Sequence, residues 1–179
     1  MKKIVIVSST FRKNGNSELL AKQFEKGALE SGNSVQTIFL RDVKPQFCTG
    51  CLSCLNTGKC VLKDGVNALL PAVREADVLV FATPVYYYSM SGQLKTFLDR
   101  LNPLYGGENK FREVYLLASS AENDRSAMEG TVRGVQGWID CFSDVRLAGA
   151  VYGIGAEEAG SIRETPAFGE AYQMGKSVR

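Results

Sequence analysis

Ser8-Ser9-Thr10-Phe11-Arg12-Lys13-Asn14-Gly15-Asn16-Ser17 gathers hydroxyls, amides and an arginine behind the apolar run Ile4-Val5-Ile6-Val7 and ahead of a helical pattern. A helix start presents unpaired N–H groups and the positive end of its dipole. The loop therefore suits an anion held by Ser9, Thr10, Arg12, Asn16, Ser17 and backbone N–H groups. Gly15 permits a tight turn, and Asn16 stands where an N-cap is expected. The loop matches neither G-x-x-x-x-G-K-S/T nor G-x-G-x-x-G, and Gly153-Ile154-Gly155 with Gly160 has the wrong spacing for the second. A hydroxyl-rich loop lacking the P-loop lysine fits a monophosphate better than a triphosphate. An ordinary helix start is the alternative use of the same residues.

A second constellation is Cys48, Cys51, Cys54 and Cys60, spaced C-x2-C-x2-C-x5-C. Three thiolates at three-residue intervals can take three corners of a cuboidal 4Fe–4S cluster, and the fourth can close it. Four-cysteine zinc sites more often pair two C-x-x-C knuckles across a longer gap. Free or disulfide-bonded thiols that only shape a loop are the remaining alternative. Cys141 sits in the apolar pattern around Trp138 and Phe142 and reads as a small hydrophobe. The chain has no histidine, which excludes Ser/His/Asp and Cys/His triads and histidine–zinc chemistry.

The elements that must position these groups follow from periodicity. Near-continuous apolar runs at Ile4–Val7, Val35–Leu40, Val78–Ala82, Val114–Ala118 and Leu147–Tyr152 read as strands buried on both faces. Between them lie helical stripes: Leu20, Phe24, Ala28; Val66, Leu69, Leu70, Val73; Leu94, Phe97, Leu98, Leu101; and Val135, Trp138, Ile139, Phe142. A last helix is expected near 167–176. Strict β–α alternation predicts one α/β domain over residues 1–179, a parallel sheet with helices on both faces. Lys44–Gly65 breaks the rhythm and reads as a cysteine-rich insertion of functional origin. A net charge of +2 with dispersed basic residues argues against nucleic acid. The four-residue apolar run behind Lys2-Lys3 is too short for a signal peptide, and no run spans a membrane, so the cytoplasm is the expected location.

The third strand leads into Thr83-Pro84-Val85-Tyr86-Tyr87-Tyr88, which would set aromatic faces and backbone amides beside the first loop. Such a surface suits a flat heteroaromatic ring, although tyrosines here also suit a core or a dimer interface. At this point the chain resembles a family. Thr10-Phe11-Arg12-Lys13-Asn14-Gly15-Asn16-Ser17 is similar to the S-P-R-K-N-G-N-T loop of the NADPH-dependent FMN reductase and iron–sulfur flavoprotein group. Thr83-Pro84-Val85-Tyr86, followed by Ser91-Gly92-Gln93-Leu94-Lys95-Thr96-Phe97-Leu98-Asp99-Arg100, resembles its P-V-Y…K-x-F-L-D-R segment. Cys48 through Cys60 and Asp64 resemble its cysteine-rich insertion. Thr10-Phe11 replaces the usual Ser-Pro, and Gly65 stands where a second acid is common.

The resemblance implies a flavodoxin-like three-layer sandwich, a five-stranded parallel sheet of order 2-1-3-4-5, with FMN at the β1/β3 switch point. Ser9, Thr10, Arg12, Asn16 and Ser17 would surround its phosphate. Pro84, Val85, Tyr86 and Tyr87 would flank the isoalloxazine ring, and Ser119 and Ser120 would close the other side. The implied function is transfer of electrons from NAD(P)H through FMN to a quinone, azo or other small acceptor. The flavin would carry the chemistry, so no side chain is needed as acid or base. A different class is an iron–sulfur flavoprotein electron carrier with a ferredoxin-like donor, with Cys48, Cys51, Cys54 and Cys60 as ligands. Flavodoxins proper are strongly acidic, which this chain is not. A flavodoxin-like domain without flavin is a third class, disfavoured by Arg12, Asn16 and Tyr86-Tyr87. Members of the group assemble as homodimers or homotetramers, and the same is expected here.

Overall fold

The computed structural model describes residues 1–179. The long strands are β1 (Lys3–Ser8), β2 (Ser34–Phe39), β3 (Val78–Tyr86), β5 (Glu113–Ser119) and β6 (Arg146–Gly153), paired in parallel in the order β2-β1-β3-β5-β6. This is the order expected, with one addition. A sixth strand, β4 (Ser89–Met90), returns antiparallel against the end of β3, pairing Val85 with Met90 and Tyr86 with Ser89. A two-residue return is too short to leave a periodicity signal.

The two-residue period of the strands sorts the core into two layers. Ile4, Ile6, Val78, Val80, Ala82 and Leu117 face α1 (Asn16–Glu30) and α7 (Pro166–Ser177). Val5, Val7, Leu79, Phe81, Leu116 and Ala118 face α4 (Val66–Glu75), α5 (Gly92–Arg100) and α6 (Glu129–Ile139). Burial on both faces holds for β1, β3 and β5 but not for β2 or β6, which are the sheet edges and stay partly exposed. Helix α1 buries Leu20, Phe24 and Ala28, the stripe read from the sequence. It meets α7 backbone to backbone: a Cβ on Gly27 would lie 2.1 Å from Tyr172 O, and one on Gly175 would lie 2.0 Å from Phe24 O.

The stripe ending in Phe142 corresponds to α6 only as far as Ile139. Phe142 lies in the turn beyond, with its ring 4.6 Å from that of Trp138. Between β2 and α4 the chain makes two short helices, α2 (Leu40–Val43) and α3 (Ser53–Thr57), and most of the cysteine-rich segment is otherwise irregular. No helix is long and apolar enough to cross a membrane.

Candidate functional site

Parallel register brings the ends of β1, β3 and β5 to one edge. Ser8 pairs with Ala82 and Pro84 with Ser119, and the Ser9 N–H donates to Ala82 O at 2.9 Å. The first two loops are then tied by buried hydroxyls. Ser91 Oγ donates to Ser9 Oγ at 2.8 Å and accepts from the Leu94 N–H at 3.3 Å as the N-cap of α5, while the Ser91 N–H donates to Thr83 Oγ1 at 3.1 Å. Thr83 and Ser91 both belong to the motif that follows the third strand. The legible signal for Ser91 is a serine three residues ahead of the Leu94 stripe, an N-cap placement.

The first loop is compact. The Arg12 N–H donates to Thr10 Oγ1 at 3.2 Å, and the Gly15 N–H donates to Arg12 O at 3.1 Å. The N-cap of α1 is Gly15, not Asn16, and no side chain caps the helix. The first N–H groups of α1 therefore keep no intrahelical acceptor. Beside them Ser17 Oγ is buried without a hydrogen-bond partner, as is Ser8 Oγ at the end of β1. Such orphaned hydroxyls are costly unless a ligand or water completes them. Uncapped N–H groups and an unpartnered hydroxyl together form a donor set that fits a phosphate.

Asn16 does not cap α1, and its side chain is engaged across the fold. Its Nδ2 donates to Ala156 O at 2.8 Å and Glu158 O at 2.9 Å, and its Oδ1 accepts from the Gly160 N–H at 2.9 Å. The side chain thus pins the first loop to the segment after β6. Gly155 and Gly160 in that segment hold positive φ, of 68° and 94°. The glycines that fail as a nucleotide motif serve as a bracket for Asn16. Ser120 joins the same bracket: its N–H donates to Gly153 O at 2.9 Å, and its carbonyl accepts from the Ala156 N–H at 2.8 Å.

Charge at the loop is partly committed. Glu18, in the first turn of α1, is buried and paired with Lys22 at 2.9 Å and Arg41 at 2.6 Å. Burial alone would raise its pKa; the two cations outweigh burial and hold the carboxyl below its ordinary value. Arg12 is exposed and in no ion pair, so its guanidinium remains available to an anion.

Tyr86, Tyr87 and Tyr88 form the β3–β4 hairpin. Tyr87 and Tyr88 occupy its two-residue turn with φ of 49° and 61°, where Asn-Gly is the usual occupant. Left-handed backbone costs a non-glycine residue roughly 1–2 kcal/mol. The turn is held by α6: a Cβ on Gly130 would lie 2.1 Å from Tyr88 O. Tyr87 is fully exposed and Tyr86 about half exposed (54%), while Pro84 and Val85 are half-buried beneath them. Aromatic side chains therefore stand free at the end of β3, and Ser91 beyond the hairpin is tied to Ser9 of the first loop.

The cysteine-rich segment lines a separate cleft. Cys48, Cys51, Cys54 and Cys60 all line one cleft of about 460 Å³, walled by Leu98, Leu101, Trp138 and Phe142. Cys141, read as a small hydrophobe, also opens onto this cleft and is exposed rather than buried. No three acidic or thiol groups converge on one point. A mononuclear zinc needs four ligands at ~2.0–2.3 Å from a common centre, whereas a cuboidal cluster carries its thiolates on separate corners. The donors around the sulfurs suit thiolates. Asn102 Nδ2 lies 3.0 Å from Cys54 Sγ, and the Gly50 N–H lies 3.5 Å from Cys48 Sγ. The Cys51 thiol is held below the ordinary cysteine range by the Ser53 backbone N–H, then by the Ser53 and Thr49 side chains.

The segment is clamped to α5. Arg100, 1% exposed, donates from Nη1 to Asp64 Oδ2 at 2.6 Å and to Gln46 O at 2.9 Å, and from Nη2 to Asp64 Oδ1 at 3.0 Å. Burial would raise the Asp64 pKa, but Arg100 and the backbone N–H groups of Gln46 and Val66 outweigh it and lower it. Asn67 fixes Cys60 from the other side, accepting from its N–H and donating to its carbonyl, each at 2.8 Å.

The hydroxyl-rich first loop at the carboxyl end of the sheet, the exposed tyrosine hairpin and the cysteine cleft stand beside what comparison with known proteins finds. The chain belongs to the NADPH-dependent FMN reductase family, whose model matches residues 2–146. It is 39% identical over 115 residues to an iron-sulfur flavoprotein of Archaeoglobus fulgidus, covering 64% of this chain and 51% of that one. It is 35% identical over 137 residues to an iron-sulfur flavoprotein of Methanocaldococcus jannaschii, covering 76% of this chain and 71% of that one. The chain thus spans about half the length of the first of these relatives. Its fold is similar to that of an NAD(P)H:quinone oxidoreductase from Methanothermobacter marburgensis, with a TM-score of 0.76 at 17% identity, covering 98% and 94% of the two chains.

Proposed function

We propose that this chain is an FMN-dependent NAD(P)H oxidoreductase that passes electrons to a small acceptor such as a quinone or azo compound. The observation that carries the reading is the uncapped α1 N-terminus with the buried, unpartnered Ser17 hydroxyl beside it, in a loop tied by Ser9 to the Ser91 that follows a hairpin of exposed tyrosines. Bound FMN would supply a ring that accepts a hydride and releases electrons. The residues of the chain bind and orient. Ser17, Arg12 and the α1 N–H groups would hold the phosphate. Thr83 and Ser91 fix the spacing between phosphate loop and ring loop, and Pro84–Tyr87 and Ser119–Ser120 would bracket the ring. Membership in a family named for NADPH-dependent FMN reduction and the quinone-reductase fold neighbour support this assignment. Reconstitution with FMN followed by anaerobic mixing with NADPH or NADH tests it. Bleaching of the flavin absorbance and its return on adding a quinone are expected; a flavin that stays oxidised contradicts the reading.

A second reading, an iron–sulfur flavoprotein electron carrier, is favoured by the N–H donors on Cys48 and Cys54. In that reading Cys48, Cys51, Cys54 and Cys60 would hold a 4Fe–4S cluster, which would supply one-electron exchange with a ferredoxin-like donor. Iron and acid-labile sulfide assayed on anaerobically purified protein test it, with about four of each per chain expected. A homodimer or homotetramer would cover the exposed Phe47, Leu52, Leu55 and Val61 of the same segment.

A further inference from the structure

We infer that Arg100 and Asn102 set the reduction potential of the cluster that Cys48, Cys51, Cys54 and Cys60 would hold, an inference that rests on the iron–sulfur reading above. The two residues flank the end of α5. Asn102 aims Nδ2 at Cys54 Sγ from 3.0 Å, and Cys54 is buried. Arg100 spends Nη1 and Nη2 on Asp64 and Gln46, yet its Nε is buried and has no partner. Cys60 lies beside that guanidinium. One short stretch of chain thus brings an amide N–H to one candidate ligand and an uncommitted guanidinium N–H to the neighbourhood of another.

Hydrogen bonds to cluster sulfurs and the local net charge are the main protein levers on potential. A reduced cluster carries one more negative charge, so each N–H donor stabilises it more than the oxidised form and raises the potential. Asp64 offsets much of the Arg100 charge but leaves the Nε donor in place. A purely structural clamp would need only the Arg100–Asp64 pair. Asn102 takes no part in that pair, which makes it the residue that separates tuning from scaffolding.

The test is an EPR-monitored redox titration of the full chain purified without oxygen, with the flavin potential read on the same samples. For Asn102→Ala the cluster reduction equilibrium should shift about tenfold toward the oxidised form, ~59 mV lower for a one-electron couple, with the flavin potential unmoved. Asn102→Asp, which removes the donor and adds negative charge, should shift it further. Asn102→Gln, which keeps an amide N–H, should recover part of the shift, and Arg100→Lys, which keeps the charge but loses Nε, should lower the potential in its own right. Variants that retain iron with the parent potential overturn the inference and leave the cluster reading standing. A parent protein that takes up no iron and sulfide overturns both.

Discussion

At position 17 a hydroxyl is buried at the mouth of a helix and bonded to nothing in the chain itself. If a phosphate is its partner, Ser17→Ala should weaken FMN binding by roughly tenfold to a hundredfold, the worth of one charged hydrogen bond. The same change should leave the flavin-free protein as stable as before or slightly more so, because an unsatisfied polar atom is removed. Isothermal titration and thermal melts of the two proteins read both outcomes. Tyr87 and Tyr88 invite the complementary experiment. Replacing them with Asn and Gly relieves two left-handed backbones, so the flavin-free protein should gain about 1–2 kcal/mol in urea unfolding. Flavin affinity should fall, since the exposed faces are lost. Loss of stability on that replacement would mean that the tyrosines pack rather than present. These residue types were legible in the sequence, but the left-handed turn was not. Nothing in three consecutive tyrosines announces positive φ; the strain comes with the two-residue hairpin turn, which lies where Gly130 of α6 lets Tyr88 O approach closely.

Among the elements, the segment 44–65 depends on one buried ion pair with α5. Removing either partner of such a pair leaves an uncompensated charge, so Asp64→Ala should destabilise the protein by about 3–5 kcal/mol. The folded-state pKa of Asp64 lies below its ordinary value of ~3.9. Its contribution is therefore present in full above that value and lost as pH falls through the depressed folded pKa. Acid unfolding followed by circular dichroism should show a transition below pH ~4 that loses its Asp64-dependent part in Asp64→Asn; an unchanged acid profile would place the clamp's energy elsewhere. The segment stood out in the sequence by its lack of periodicity and its cysteines. Its anchoring did not, because Asp64 and Arg100 stand in two separate motif segments 36 residues apart, and no local pattern pairs them.

For the whole molecule, the β–α alternation was sufficient to give a parallel sheet with helices on both faces, and the strand order came with the family resemblance. That order sets the first, third and fourth long strands side by side at the centre of the sheet, and their carboxyl ends gather Ser9, Pro84 and Ser119. The bracket built by Asn16 and the segment after β6 was hidden for a physical reason. Its bonds run from a side chain to backbone groups about 140 residues away, which no periodicity encodes. Asn16→Ala should therefore act through the loop's position, lowering stability by about 1–3 kcal/mol through the backbone groups it leaves unpaired, and melts of the flavin-free protein would register it without any ligand.

The central claim is that the carboxyl edge of this sheet holds the phosphate of a flavin. Titrating the flavin-free protein with FMN and, separately, with riboflavin while following flavin fluorescence tests it most directly. The account predicts one FMN per chain and at least a ~100-fold weaker affinity for riboflavin, which lacks the phosphate. Equal affinity for the two, or no binding of FMN, would contradict it.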